Sequence, residues 1–272
     1  WAEQERSRIG EERFRREHEC EFLIFDETLI SSLVLADMEG TAPVETTGQV
    51  RWFKRPTPGH TYMVSLDPSM GTGGDFAAIQ VFELPTFEQV GEWHHNQTPM
   101  NQQVRILQGI NKHIHDTIME KDATATPQIF YSMENNTIGE AALMRVMDIG
   151  EENIMGMFLS EPIRKGHRRK FRRGFNTTAK HKIDACTKFK ELVENDKMKI
   201  NSQLLISEMK DFVATGLSYK AKPGQHDDLV SACLLMTRMM KVLADFDPKI
   251  FEKWTDRTSE ITPMPIFGSF TG

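Results

Sequence analysis

From Thr61 onward the chain changes character. Short β-rich apolar runs follow one another at Tyr62–Leu66, Ala77–Leu84 and Gln89–His95, and their short connections predict an antiparallel meander. Behind the meander, helical and extended patterns alternate. Asn101–Glu120 places Val104, Leu107, Ile110, Ile114 and Ile118 three and four residues apart, as an amphipathic helix requires. Gln128–Met133 reads as a fourth strand, followed by a helix over about Gly139–Ile149 and a short apolar run at Asn153–Leu159. A helix from about Thr178 to Asn195, a short strand at Met198–Asn201 and a helix over Ser202–Ala214 come next, the last with Leu205, Met209, Phe212 and Val213 on one side. Gly216–Lys220 reads as a short strand, Pro223-Gly224 breaks the chain, and a final helix runs from His226 to about Leu243. Strands first and alternating elements afterwards predict an α/β fold, a mixed sheet flanked by helices. No internal repeat is visible.

Ahead of Thr61 the pattern is weaker. Ala2–Glu21 is charged and favours an exposed helix, Cys20–Leu35 is a mixed apolar run, and Asp37–His60 is rich in Gly, Thr, Pro and Glu, as expected of a linker. The boundary is expected near Pro58. A start at Trp1 instead of Met suggests an excised piece of a longer protein. The expected division is thus residues 1–60, 61–247 and a loosely ordered extension at 248–272 carrying Pro248, Pro263 and Pro265. The 272 residues, 39% of them hydrophobic, can bury a sizeable core without staples. Cys20, Cys186 and Cys233 are odd in number, widely spaced and without a C-x-x-C, which argues against a disulfide framework or a Cys-based zinc site and fits a reducing compartment. The longest strongly apolar stretch, Leu229–Met236, is far short of the roughly 20 residues of a membrane span, so no membrane association is expected.

The chemistry-bearing residues are acids at element ends. Asp67 closes the first strand, Glu134 closes the fourth, and Asp227-Asp228 precede the last helix. Singly, each has a plain structural reading: Asp67-Pro68 as a turn, and the aspartate pair as first-turn acids favoured by the helix dipole. Jointly they say more. If the strands ending in Asp67 and Glu134 are parallel neighbours, their carboxylates emerge at one sheet edge, where like charges need proton sharing or a cation. An oxygen-only donor set suits Mg²⁺ or Mn²⁺ and suits zinc poorly. Two such ions can activate a water and stabilise the leaving oxygen of a phosphodiester. The run Gly71-Thr72-Gly73-Gly74-Asp75 lacks the spacing and the lysine of a phosphate loop, and a strand follows it, so no nucleotide-binding site is expected there. It reads as a hairpin beside the acids, with Asp75 an additional ligand or supporting residue. His94-His95, His113, His115, His167 and His181 read mostly as surface residues, and His226 as a neighbour that tunes the acidic pair or contacts the leaving group without being a ligand.

The formal net charge of −6 speaks against nucleic acid only as an average. Between Ser160 and Lys182 the chain carries Arg164, Lys165, Arg168, Arg169, Lys170, Arg172, Arg173, Lys180 and Lys182 against Glu161 alone. Phe171 and Phe175 are interleaved. So dense a one-signed run favours contact with a phosphate backbone over a solubilising face. Docking to an acidic protein surface is the other reading.

These pieces carry a resemblance. Ser65 to Asp75, Glu134 in Ser132-Met133-Glu134-Asn135-Asn136, the helix start Thr178-Ala179-Lys180-His181-Lys182, and His226-Asp227-Asp228-Leu229-Val230 occur here in order. The ordered set resembles the nuclease domain of the large terminase subunit of tailed, T4-like bacteriophages, over roughly Thr61 to Leu243. Glu11 to Phe22, followed by Asp26 to Ile30, resembles the tail end of that family's ATPase domain. The resemblance implies an RNase H-like fold and a metal-dependent endonuclease that cuts concatemeric viral double-stranded DNA with little sequence preference. It implies Asp67, Glu134 and Asp228 as catalytic metal ligands, with Asp227 and Asp75 contributing, and a Mg²⁺ or Mn²⁺ pair as cofactor. The implied partners are DNA, the upstream ATPase domain of the same subunit, the portal protein and the small terminase subunit. The implied location is the host cytoplasm, at the procapsid portal. The basic run from Arg164 to Arg173 is denser than the family leads one to expect. Two other readings stay open: another RNase H-like nuclease, such as a junction resolvase or transposase core, and a non-catalytic DNA- or portal-binding module whose acids are caps.

Overall fold

A computed structural model describes residues 1–9, 27–162 and 173–246 of the protein. Its strands are β1 (Glu45–Thr47), β2 (Val50–Trp52), β3 (Thr61–Asp67), β4 (Ala77–Leu84), β5 (Glu88–His95), β6 (Gln128–Met133), β7 (Met157–Phe158), β8 (Phe212–Thr215) and β9 (Ser218–Ala221). Its helices are α1 (Ala2–Ile9), α2 (Ser32–Asp37), α3 (Met100–Lys121), α4 (Thr137–Ile149), α5 (Ala179–Glu194), α6 (Gln203–Asp211) and α7 (Asp228–Phe246). A seven-stranded sheet runs β1-β2-β5-β4-β3-β6-β7, and β8 and β9 form a separate hairpin. β3, β4 and β5 make the expected antiparallel meander. β6 then adds to β3 in parallel, and β7 adds to β6 in parallel.

β3 is central, with every residue buried except the partly exposed Asp67 at its end. Its side chains alternate between two cores. Tyr62, Val64 and Leu66 join the buried faces of α3 and α4, including Val104, Leu107, Ile110, Ile114 and Ile118 at the spacing that predicted the helix. Met63 joins the opposite core with the buried residues of α5, α6 and α7. Ser65, also pointing to that side, donates its hydroxyl to the Ala232 carbonyl of α7 at 2.8 Å, so this buried polar side chain is satisfied. The sheet is therefore sandwiched between helical layers, and α7 lies against β3 and β4. No helix among the described residues is long and apolar enough to cross a membrane.

The structure corrects the sequence reading at several elements. The stretch expected as a linker contains β1 and β2, which extend the sheet through pairing of β2 with β5, so the sheet begins ahead of Pro58. Leu29, Ile30 and Leu35 are buried in the α7-side core. Met198–Asn201 forms no strand. A bridge at Glu88 and Lys199 and hydrogen bonds from Asn201 to Gln89 hold it in place. The helix expected to reach Ala214 stops at Asp211, because Phe212 to Thr215 pairs with β9, and Leu29 and Glu27 hydrogen-bond along its other edge. Phe212 is buried in either geometry, which is why the helical spacing absorbed it. The extension at 248–272, Glu11–Phe22 and the basic run Arg164–Arg172 lie outside the described residues.

Candidate active site

Asp67 and Glu134 are brought together by the parallel register of β3 and β6. Ser65 faces Ser132 and Leu66 faces Met133, and the Glu134 N–H donates to the Leu66 carbonyl at 3.1 Å. The carboxyls then meet and share a hydrogen bond. Burial pushes the Asp67 carboxyl well above the usual carboxylate range, and the neighbouring charges of Glu134, Asp228 and Asp227 push it the same way. Glu134 also accepts from the Asn136 side-chain NH₂ at 3.0 Å, and Oδ1 of the same side chain caps α4 by accepting from the N–H groups of Ile138 and Gly139. The first turn of α4 is thus fastened to the strand end that carries Glu134.

Asp227 and Asp228 arrive from the other layer, at the start of α7. They take different partners. Asp227 accepts from the Ala221 N–H of β9 at 3.3 Å and lies 3.8 Å from the Lys182 ammonium. Asp228 accepts the N–H of Phe76, in the loop that carries Asp75, and its Oδ2 lies 3.6 Å from His226. Burial lifts the Asp228 carboxyl to about 6, with Asp227 and Asp75 adding to the rise and the Phe76 N–H and His226 opposing it. Asp75 itself is exposed, within electrostatic reach of Asp228. Among the described residues, no three His, Cys, Asp or Glu side chains already stand in a metal-holding arrangement.

Sequence reasoning missed Glu208 of α6 and placed His94 on the surface. The side chains of both are largely buried, 10% and 13% exposed, with Glu208 Oε1 and His94 Nε2 3.6 Å apart and neither atom in a hydrogen bond. Burial lifts Glu208 to about 9 and lowers His94 to about 4, so near neutrality they are an uncharged acid and an uncharged imidazole. His113 is likewise no free surface residue, since it stacks on Trp52 at 4.5 Å. A polar residue on an amphipathic helix, as Glu208 and His113 are, or near the end of a strand, as His94 is, carries no local mark of a buried partner, which is why these were not legible.

A cleft of about 170 Å³ opens beside Glu134, lined among others by Thr177, His181, Lys182 and Arg238. Arg238 on α7 is a clasp. It pairs with Glu161, donates to the Thr177 hydroxyl and the Asn176 carbonyl at 3.0 Å each, and covers the Phe175 ring at 5.2 Å. Glu161 and Gly174 hydrogen-bond across the base of the basic run, and Phe175 hydrogen-bonds to Met133 and Asn135 at the end of β6. The two stems of the run are thereby fixed next to Glu134. Of its cations, Arg173 pairs with Glu151, Lys180 is exposed and Lys182 is half-buried over the Phe212 ring. Arg164, Lys165, Arg168, Arg169, Lys170 and Arg172 are outside the described residues.

Acids ending adjacent parallel strands, faced by an aspartate from the last helix, define a carboxylate-centred site on an RNase H-like α/β fold. The sequence profile of the terminase RNaseH-like domain matches residues 64–239, and the chain belongs to that family. The fold is similar to the large terminase nuclease of thermophilic phage G20c with bound magnesium, at 17% identity and a TM-score of 0.57, over 79% of this chain and 97% of that one. It is also similar to the large terminase nuclease domain of Thermus phage P74-26, at 17% identity and a TM-score of 0.53, over 74% and 90% of the two chains.

Proposed function

We propose that this domain is the metal-dependent endonuclease of a large terminase subunit of the T4-like kind, cutting concatemeric double-stranded DNA with little sequence specificity. The observation that carries the reading is the meeting of Asp67 and Glu134 across β3 and β6, with Asp228 facing them. Carboxylates in contact at a strand end need a shared proton or a cation, and an all-oxygen set favours a hard divalent ion. The similar G20c nuclease is seen with magnesium, with cobalt and with zinc in separate structures, so divalent-metal binding is supported while the choice of a hard ion rests on the donor set here. In this chain Asp67, Glu134 and Asp228 would hold Mg²⁺ or Mn²⁺, two ions in the fullest form, with Asp227 and Asp75 contributing. Asp228 is the better principal ligand of its pair, because its charge acts on Asp67 more strongly than that of Asp227. When bound, such ions supply Lewis-acid activation of water and of the leaving oxygen.

The protein's own part is to fix the acids on rigid strand and helix ends and to hold the substrate beside them. The basic residues from Arg164 to Arg173, with Lys180 and Lys182, would grip the phosphate backbone of the duplex, a contact that orients without reading sequence. The segment ahead of the sheet would join an upstream ATPase domain, and the portal protein and small terminase subunit would be partners at the procapsid portal in the host cytoplasm.

Plasmid cleavage with Mn²⁺ tests the reading directly. Asp67→Ala and Glu134→Ala should each lose more than the ~10–100-fold typical of changes outside the ligand set. Full cleavage by both variants would remove these acids from the assignment, whereas no Mn²⁺-dependent cleavage by the unsubstituted chain would leave the non-catalytic module, in which the acids are caps.

A further inference from the structure

Glu208 and His94 take no part in the proposed chemistry, yet they are buried polar groups directly behind the acids. The contacts around them close a ring. Glu208 accepts the backbone N–H groups of Leu229 and Val230 in the first turn of α7, the latter at 3.1 Å. Asp228 opens that helix and accepts the N–H of Phe76. The Phe76 ring stacks on His94 with centroids 4.1 Å apart and planes 17° from parallel, and His94 Nε2 returns to Glu208 Oε1 at 3.6 Å.

The first N–H groups of a helix have no partner within it, and the side chain of the residue before the helix normally accepts them. Here that residue is Asp227: its carbonyl takes the Ser231 N–H, but its carboxylate is turned to Ala221. An aspartate so placed would ordinarily fold back onto Leu229 and Val230. Those donors are already taken by Glu208, reaching in from α6. We infer that Glu208 is a positioning residue: as a cap supplied by another helix, it releases Asp227 and Asp228 from capping α7 and, with His94 and Phe76, holds Asp228 toward Asp67 and Glu134. The inference rests on the reading of Asp228 as a cation ligand.

The test is Mn²⁺ binding by the whole chain, read from the electron paramagnetic resonance of the free ion and from the rise in melting temperature. Glu208→Ala should weaken Mn²⁺ binding by about 10–100-fold, whereas Glu208→Gln, whose amide oxygen can accept the same N–H groups, should stay within about threefold of the unsubstituted chain. Ile118→Ala, a core truncation on α3, should lower the melting temperature without changing Mn²⁺ affinity. Unchanged affinity in Glu208→Ala overturns the inference, as does an equal loss in Glu208→Gln or in Ile118→Ala. If Glu208→Ala does not fold, Phe76→Leu decides: weakened Mn²⁺ binding supports the ring, and unchanged binding overturns it. Failure of the unsubstituted chain to bind Mn²⁺ would instead strike the metal-site reading itself, and this inference with it.

Discussion

A missing methyl group determines where Glu134 can sit. A Cβ at Gly139 would lie 1.9 Å from the Glu134 carbonyl oxygen, so the first turn of α4 approaches the strand end only because residue 139 has no side chain. The same turn holds Asn136, whose amide donates to the Glu134 carboxylate. Gly139→Ala must therefore push α4 and the Glu134 backbone apart, and the expected cost is about 1–3 kcal/mol, typical of overpacking. Gly109 on the exposed side of α3 is the contrast, since nothing lies within 4 Å of its Cβ position. Gly109→Ala should raise stability by roughly 0.5–1 kcal/mol through helix propensity. Urea unfolding of the two variants separates these cases; equal shifts would mean that the close approach at Gly139 is not a constraint.

At the scale of elements, legibility followed length and locality. β4 and β6 have the bounds that their apolar runs predicted, and α3 has its predicted buried face, because each is long enough to show a period. Asp67 and Glu134 were legible for the same reason, as the polar residues that end such runs. β1 and β2 were not. Strands of three residues show no period, and their turn-rich composition looks like a linker. Their place comes from a tertiary contact: Trp52, 1% exposed, lies across Gly91 of β5 and stacks on His113 of α3. A Cβ at Gly91 would stand 2.9 Å from the Trp52 ring, so the large and the missing side chain are complementary. Glu208 was hidden in the same way, its partners being N–H groups about twenty residues later on another helix. If the hairpin is part of the core, Trp52→Ala should cost about 3–5 kcal/mol in global unfolding, the usual range for a buried aromatic. A change below about 0.5 kcal/mol, as at ordinary surface positions, would return residues 45–52 to the role of a linker.

Over the whole molecule, the formal charge of −6 hides an uneven distribution of protons as well as of charges. Folding gathers Asp67, Asp228 and Glu208 where burial raises their carboxyls, and it places His94 where burial lowers its imidazole. The consequences for stability have opposite signs. Up to about pH 6.5 the unfolded His94 holds a proton that the folded one lacks, so its contribution grows with pH, while the acids act the other way. Between about pH 6.5 and 8 the unfolded imidazole sheds its remaining half proton, so the opposing contribution of His94 fades upward through the window, while Asp228 is largely ionised and unfolded thiols begin to titrate only near its upper end. In that window Glu208, at about 9, keeps a proton that the unfolded chain has lost, and Asp67 acts in the same direction. The folded state then binds more protons, so stability must fall as pH rises, by up to about 1.4 kcal/mol per pH unit for each proton retained. Urea unfolding in EDTA at pH 6.5, 7.2 and 8 should show this decline, and Glu208→Gln, which has no proton to lose, should flatten it by about one proton's share. A Glu208→Gln slope as steep as that of the unsubstituted chain would show that the carboxyl behind α7 is already ionised, and the neutral pairing of Glu208 with His94 would have to be abandoned.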